Sequence, residues 1–207
     1  MMNTTLLEDA ALRDQLLRNC SLQRRDKMIG ICSEQERRSR LAGSALLDLA
    51  LRQTGCREQD AVYAFEDGGK PRIPALPGFH FSISHSGDTV ILAVSDHPVG
   101  ADVQQPRIVS VALQKRYFTQ RELAASDPIR LWALKESYGK LTGEGIAVLG
   151  KTELLLEDRV LLLRDGIPQQ VVFYETVLKN GSYVATCCYE NPSLAIEMIE
   201  VNRSDLI

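Results

Sequence analysis

Asp102 and Gln104 stand two residues apart in Val99-Gly100-Ala101-Asp102-Val103-Gln104, and an extended strand places alternate side chains on one face. Their oxygens therefore project together, while Ala101 and Val103 face a core. Two neighbouring oxygens are half of a magnesium site, because Mg2+ takes hard oxygen ligands, keeps several waters and borrows further ligands from a phosphate substrate. Glu136 and Lys140 lie four residues apart, in line with Trp132 and with Lys135 alongside, a spacing that puts them on one helical stripe. On the helix alone the simpler reading is an exposed ion pair worth roughly 0.3 kcal/mol. Ser84 and His85 fall at the mouth of a turn at Ser86-Gly87-Asp88, where side chains can reach a ligand. Lys70 follows Gly68-Gly69 and precedes Pro71, with further prolines at 74 and 77. Prolines so close together forbid a helix and fix an extended path, which makes Lys70 a candidate phosphate contact.

These residues need elements to position them. Phe79 to Ser84 and the apolar run Val90 to Val94 read as a hairpin, followed by a third extended piece from Val99 to Gln104. Arg40 to Arg52, rich in Leu and Ala, reads as a helix ending before Gly55. Val109 to Ala125 reads as one or two helices, with Thr119 as an N-cap for a short helix containing Glu122. Asp127-Pro128 opens the clearest helix, Ile129 to Leu141, because Asp caps and Pro at the first position already has helical φ. Leu131, Leu134, Tyr138 and Leu141 form its inward face, and Thr142-Gly143-Glu144-Gly145 stops it. The rest reads as strands: Thr152 to Leu156, Val160 to Leu163, Gln170 to Tyr174, Tyr183 to Tyr189 and Ser193 to Glu200.

A weak repeat appears at an offset of 94 residues: Gly87, Val90 and Pro98 match Gly181, Val184 and Pro192, and Asp96 matches Glu190. Helices precede both strands. The expectation is an α+β protein, a pseudo-dimer of two similar α/β halves spanning residues 1–105 and 106–207, with a cleft between them for a ligand.

The 207 residues, 44% hydrophobic, supply an ordinary core. The net charge of −3 gives no support for nucleic-acid binding, and no apolar run approaches the ~20 residues that cross a bilayer. With acidic residues near the N-terminus where a signal peptide is basic, a cytoplasmic protein is expected. The five cysteines lack C-x-x-C spacing, so they read as small hydrophobes rather than a disulfide framework or zinc site. Positive charge concentrates in residues 24 to 40, where Arg24, Arg25, Lys27, Arg37, Arg38 and Arg40 outnumber Asp26, Glu34 and Glu36. That run is either a solvated face or a landing surface for an anionic ligand or acidic partner.

Taken in order, Gly69-Lys70-Pro71, Phe81-Ser82-Ile83-Ser84-His85-Ser86, Val99 to Gln104 and Trp132-Ala133-Leu134-Lys135-Glu136-Ser137-Tyr138-Gly139-Lys140 resemble the motifs of the Sfp-type 4'-phosphopantetheinyl transferases. The resemblance implies transfer of phosphopantetheine from coenzyme A to a serine of an apo acyl or peptidyl carrier protein, with Mg2+ as cofactor. It implies Asp102, Gln104 and Glu136 as metal ligands, Glu136 as base, and Lys140 on phosphate. Arg38 or Arg40, Lys70, Pro71, Ser84, His85 and Lys135 would grip coenzyme A. The family often carries glutamate where Gln104 stands, which implies weaker Mg2+ binding or a water-mediated contact here. An internal pseudo-dimer implies a monomer. The alternative is a module that binds coenzyme A or a carrier protein without turnover.

Overall fold

The computed structural model describes residues 1–190 and 196–206. The N-terminal part begins with β1 (Met2–Asn3), α1 (Ala10–Arg18), α2 (Leu22–Met28) and the long α3 (Glu34–Arg52). The hairpin β2 (Ala64–Phe65) and β3 (Pro71–Arg72) follows, then β4 (His80–Ser86), β5 (Thr89–Ser95) and β6 (Val99–Gln104). The C-terminal part holds α4 (Val111–Tyr117), α5 (Gln120–Ala125), α6 (Pro128–Thr142), β7 (Thr152–Leu156), β8 (Val160–Arg164), β9 (Ile167–Pro168), β10 (Val171–Val177) and β11 (Tyr183–Tyr189). Among the described residues no helix is long and apolar enough to cross a membrane.

The repeat read from sequence becomes a repeat of topology. One antiparallel sheet has the order β1-β5-β4 and another the order β6-β11-β10. Val90 in β5 faces Met2 in β1, and Val184 in β11, 94 residues later, faces Val103 in β6. Each sheet is thus a hairpin flanked by a strand that precedes a long helix in the chain, α3 or α6. The architecture is α+β, as expected. β6 hydrogen-bonds to β11, so the strand that carries Asp102 and Gln104 belongs to the sheet of the C-terminal elements.

The two sheets meet through side chains. On β4, Ser82, Ser84 and Ser86 share one face, and their hydroxyls accept the amide protons of Ala101, Val103 and Gln105 at 3.0, 3.3 and 3.0 Å. Three hydroxyls replace the carbonyls of an ordinary ladder, and those of Ser82 and Ser84 satisfy amides that burial would otherwise leave unpaired. Between the sheets Ile91, Ala101, Val103 and Val184 form a small apolar layer. This places Ala101 and Val103 in a core, as their alternation predicts.

Local differences from the sequence reading have simple causes. α3 starts six residues earlier than expected, at Glu34, because Ser33 accepts the amide of Glu36 and ion pairs hold the charged first turns: Arg37 to Glu34 at 2.6 Å and Arg40 to Glu36 at 2.8 Å. The stripe Trp132-Glu136-Lys140 is not a solvated face, since Trp132 is buried edge-on against Tyr117 and Phe118. Of the strand expected over Ser193 to Glu200, residues 193–195 lie outside the described residues, as does Pro192. Residues 196–200 form no strand and instead follow the N-terminus, where Met1 donates to the carbonyl of Ile199 at 2.6 Å. Cys20, Cys187 and Cys188 are buried as small hydrophobes, whereas Cys32 is exposed.

Candidate active site

Gly100 explains how β6 and α6 come together. A Cβ there would sit 2.0 Å from the carbonyl oxygen of Ser137 and 2.3 Å from the amide of Leu141, so only glycine lets the helix backbone lie on the strand. Asp127 caps α6 by accepting from the Ile129 amide at 2.7 Å, and Gly143 closes it in the left-handed region at φ +78°. The outcome is that Glu136 and Lys140, one turn apart, face Asp102 and Gln104 across a cleft of about 550 Å3.

At its centre Lys140 Nζ donates to Asp102 Oδ1 and to Ser84 Oγ, both at 2.7 Å. Ser84 Oγ donates to the same Asp102 oxygen at 2.6 Å. Gln104 turns its amide nitrogen to Asp102 Oδ2 at 2.8 Å, while its oxygen accepts from Arg107 Nη2 at 3.1 Å. Asp102 is fully buried and fully partnered. Glu136 is different, for among the described residues it makes no hydrogen bond. Burial first, and then the nearby charge of Asp102, push its carboxyl above the usual range, only partly opposed by Lys140 and Arg107.

Around this centre the cleft is basic. His85 lines it with Nε2 3.7 Å from Glu36, and burial pulls its imidazole below the usual value. Arg40 lines it as well, held by Glu36. Lys70 and Pro71 contribute from the β2–β3 hairpin. Two of the three Lys70 donors are engaged, at 2.9 Å by the carbonyl of Leu141 at the end of α6 and at 3.1 Å by that of Val99. Lys70 therefore staples the hairpin to α6 and β6, and burial lowers its pKa.

Two expected contacts are corrected. Lys135 does not reach the cleft. It leaves α6 on the other side, is fully buried, and donates to Tyr117 O and Thr152 O, each at 2.7 Å, and to the Glu122 carboxylate at 2.9 Å. Arg38 turns outward to Glu8 at 3.1 Å, so of the two arginines only Arg40 lines the cleft. Arg24 and Lys27 of the basic run line the cleft from α2, whereas the sequence reading missed Gln23 from α2, Ser44 from α3, and Tyr63 and Phe65.

The residues present suit a divalent cation. Two close carboxylates, Asp102 and Glu136, face an amide at Gln104, and the burial and repulsion that together raise the Glu136 pKa are what a cation would offset. Among the described residues no three His, Cys, Asp or Glu side chains group as metal ligands, and here the third member of the set is an amide.

A model of the 4'-phosphopantetheinyl transferase superfamily matches residues 98–188, the stretch that carries β6 and α6. A 4'-phosphopantetheinyl transferase of Bacillus pumilus is 32% identical over 69% of this chain and 66% of its own length. One from Bacillus subtilis is 29% identical over 91% of both chains, and the transferase Sfp of Bacillus subtilis strain 168 is 32% identical over 62% of each. For the first and third of these, the chain spans a little under two thirds of the relative's length. The chain belongs to the 4'-phosphopantetheinyl transferase superfamily. Within it, the likeness is to the Sfp-type group.

Proposed function

We propose that this protein transfers 4'-phosphopantetheine from coenzyme A to a serine hydroxyl of an apo carrier protein. The observation that carries the reading is the convergence of Asp102, Gln104, Glu136 and Lys140, from two distant segments, on one basic cleft. Arg40, Lys27 and Arg24 supply positive charge for the phosphates, His85 offers them a ring N–H, and the apolar faces of Phe65, Phe81 and Ile83 line the same space.

Each side chain then has a task. Asp102 and Glu136 would hold Mg2+ directly, with Gln104 binding it through a water or by its amide oxygen once released from Arg107. Bound there, the cation supplies charge stabilisation to the diphosphate as its P–O bond breaks. Lys140, one turn from Glu136, moves from Asp102 to a phosphate oxygen. Glu136, as the ionised carboxylate, accepts the proton of the carrier serine directly or through a water. The serine oxygen bonds to the phosphorus of the phosphopantetheine end, and adenosine 3',5'-bisphosphate leaves with the bridging oxygen. The protein acts as a monomer in the cytoplasm, where coenzyme A and carrier proteins coexist.

Incubation with coenzyme A, Mg2+ and a panel of purified apo carrier proteins tests this reading. A carrier mass increased by one phosphopantetheine, lost when EDTA is added, is the expected result. Coenzyme A binding without any mass increase would reduce the protein to a binding module.

A further inference from the structure

The wall of the cleft built by α2 and α3 rests on a buried charge that the proposed chemistry leaves without a task. Glu58, in a short 3-10 turn after α3, is fully buried. Its carboxylate accepts from the Ser21 amide at 2.7 Å, the Ser21 hydroxyl at 2.8 Å and the Tyr63 hydroxyl at 2.6 Å, and lies 3.2 Å from Arg24 Nε. Tyr63 accepts from Arg24 Nε at 3.1 Å, and its ring lies 5.1 Å from the guanidinium carbon. Burial raises the Tyr63 pKa, so its hydroxyl stays protonated as the donor to Glu58. A wholly buried carboxylate is costly unless fully paired. Of the groups that pair it, Tyr63 and Arg24 both line the cleft, and Arg24 is the one that brings a charge there.

Arg24 is held at two of its three nitrogens. Nε faces Glu58 and Tyr63, Nη1 lies 3.5 Å from Ser44 Oγ, and Nη2 makes no hydrogen bond among the described residues. Beside it, Lys27 has its pKa lowered by burial and by the charges of Arg24 and Arg40, a crowding of cations that an anion in the cleft would relieve. The two neighbours differ in restraint. Lys27 rests on the ring of Phe65 at 4.1 Å, whereas Arg24 is fixed by a stacked ring, a hydroxyl and a carboxylate. Fixing a long side chain before a ligand arrives removes the ordering cost from binding.

We propose that Glu58 and Tyr63 are positioning residues that hold Arg24 in one orientation, aimed at an anionic group of the nucleotide bound in the cleft. The inference rests on the cleft being the coenzyme A site. Its test is a double-mutant cycle on the transfer reaction. Tyr63→Phe keeps the ring that packs on Phe81 and removes only the hydroxyl. It should raise KM for coenzyme A about fivefold with kcat and KM for the carrier unchanged, and Arg24→Gln should raise KM for coenzyme A further. In the Arg24→Gln background Tyr63→Phe should add nothing. Glu58→Gln, run in the same cycle, covers the case in which Tyr63→Phe fails to fold. Unchanged KM in a folded single variant, or equal effects with and without Arg24, overturns the positioning role while leaving the function intact. A wild-type protein with neither transfer nor coenzyme A binding removes the function itself, and this role with it.

Discussion

Lys135 and Lys140 leave the same helix five residues apart, about 140° around its axis, and each meets a carboxylate. The Lys135 cluster is closed. Its ammonium is fully buried among three backbone carbonyls and Glu122, and Glu122 also accepts the amides of Thr119 at 2.7 Å and Leu154 at 2.8 Å. The Lys140 cluster is open. Asp102 is fully partnered, but Glu136 beside it is not, and its carboxyl is forced upward. Buried charge that only supports the fold is satisfied on every side; buried charge kept for chemistry retains one member whose best partner is yet to arrive. The same helix carries both because its faces meet different neighbours.

Breaking the closed cluster should have the largest effect on the molecule. Lys135→Met leaves Glu122 buried and unpaired, at a cost of about 3–5 kcal/mol, a large part of the ~5–15 kcal/mol that holds a domain together. Urea titration should show an unfolding free energy, midpoint times slope, lower by that amount, and a near-wild-type midpoint would reclassify Lys135 as dispensable. The open cluster should respond in the opposite sense. Glu136→Gln should lower the transfer rate by about 10²- to 10⁴-fold and leave the fold intact or firmer. Because the folded pKa of Glu136 lies above the usual value, the stability associated with its protonated form is present at pH below about 4.5 and is lost as pH rises through the folded value. In metal-free buffer the variant and wild type should therefore match at pH 4 and diverge toward pH 7, with the variant more stable. Thermal melts at the two pH values decide this.

Smaller effects sharpen the contrast. Gln104→Glu adds an anion beside Asp102 and should preserve or raise transfer at low Mg2+, read from the Mg2+ concentration at half-maximal rate. A dead but folded variant would show that the Gln104 amide has a different task. His85→Ala should raise KM for coenzyme A more than for the carrier, by an expected few-fold, and equal changes in both would remove His85 from the nucleotide end. Lys70→Ala should do likewise but also soften the fold, since its ammonium joins the carbonyls of Val99 and Leu141.

Much of the open cluster was legible in the chain. Period two placed Asp102 and Gln104 together, the i,i+4 spacing paired Glu136 with Lys140, and Asp127-Pro128 marked where their helix begins. What could not be read was orientation around the helix. Lys135 precedes Glu136 in sequence, but whether it faces the cleft depends on α4, α5 and β7, whose carbonyls and Glu122 claim it from the far side. The choice between Arg38 and Arg40 could not be read for the same reason, since a partner as distant in sequence as Glu8 decides the direction of Arg38. The serine spacing at 82, 84 and 86 was visible without its meaning, because a hydroxyl that accepts an amide from another sheet leaves no local pattern. Glu58 gave no signal at all: burial of a lone acid is set by the packing around it.

The Ser84 hydroxyl is a rung between the two sheets and a member of the charged centre at once: one oxygen takes the amide of Val103 and the ammonium of Lys140, and its proton goes to Asp102. Any slippage of the N-terminal sheet against the C-terminal one is thereby transmitted to the Asp102 carboxylate by a single atom. Alignment of the halves and readiness of the centre become one condition, so a chain whose parts are joined out of register would be silent rather than poorly controlled.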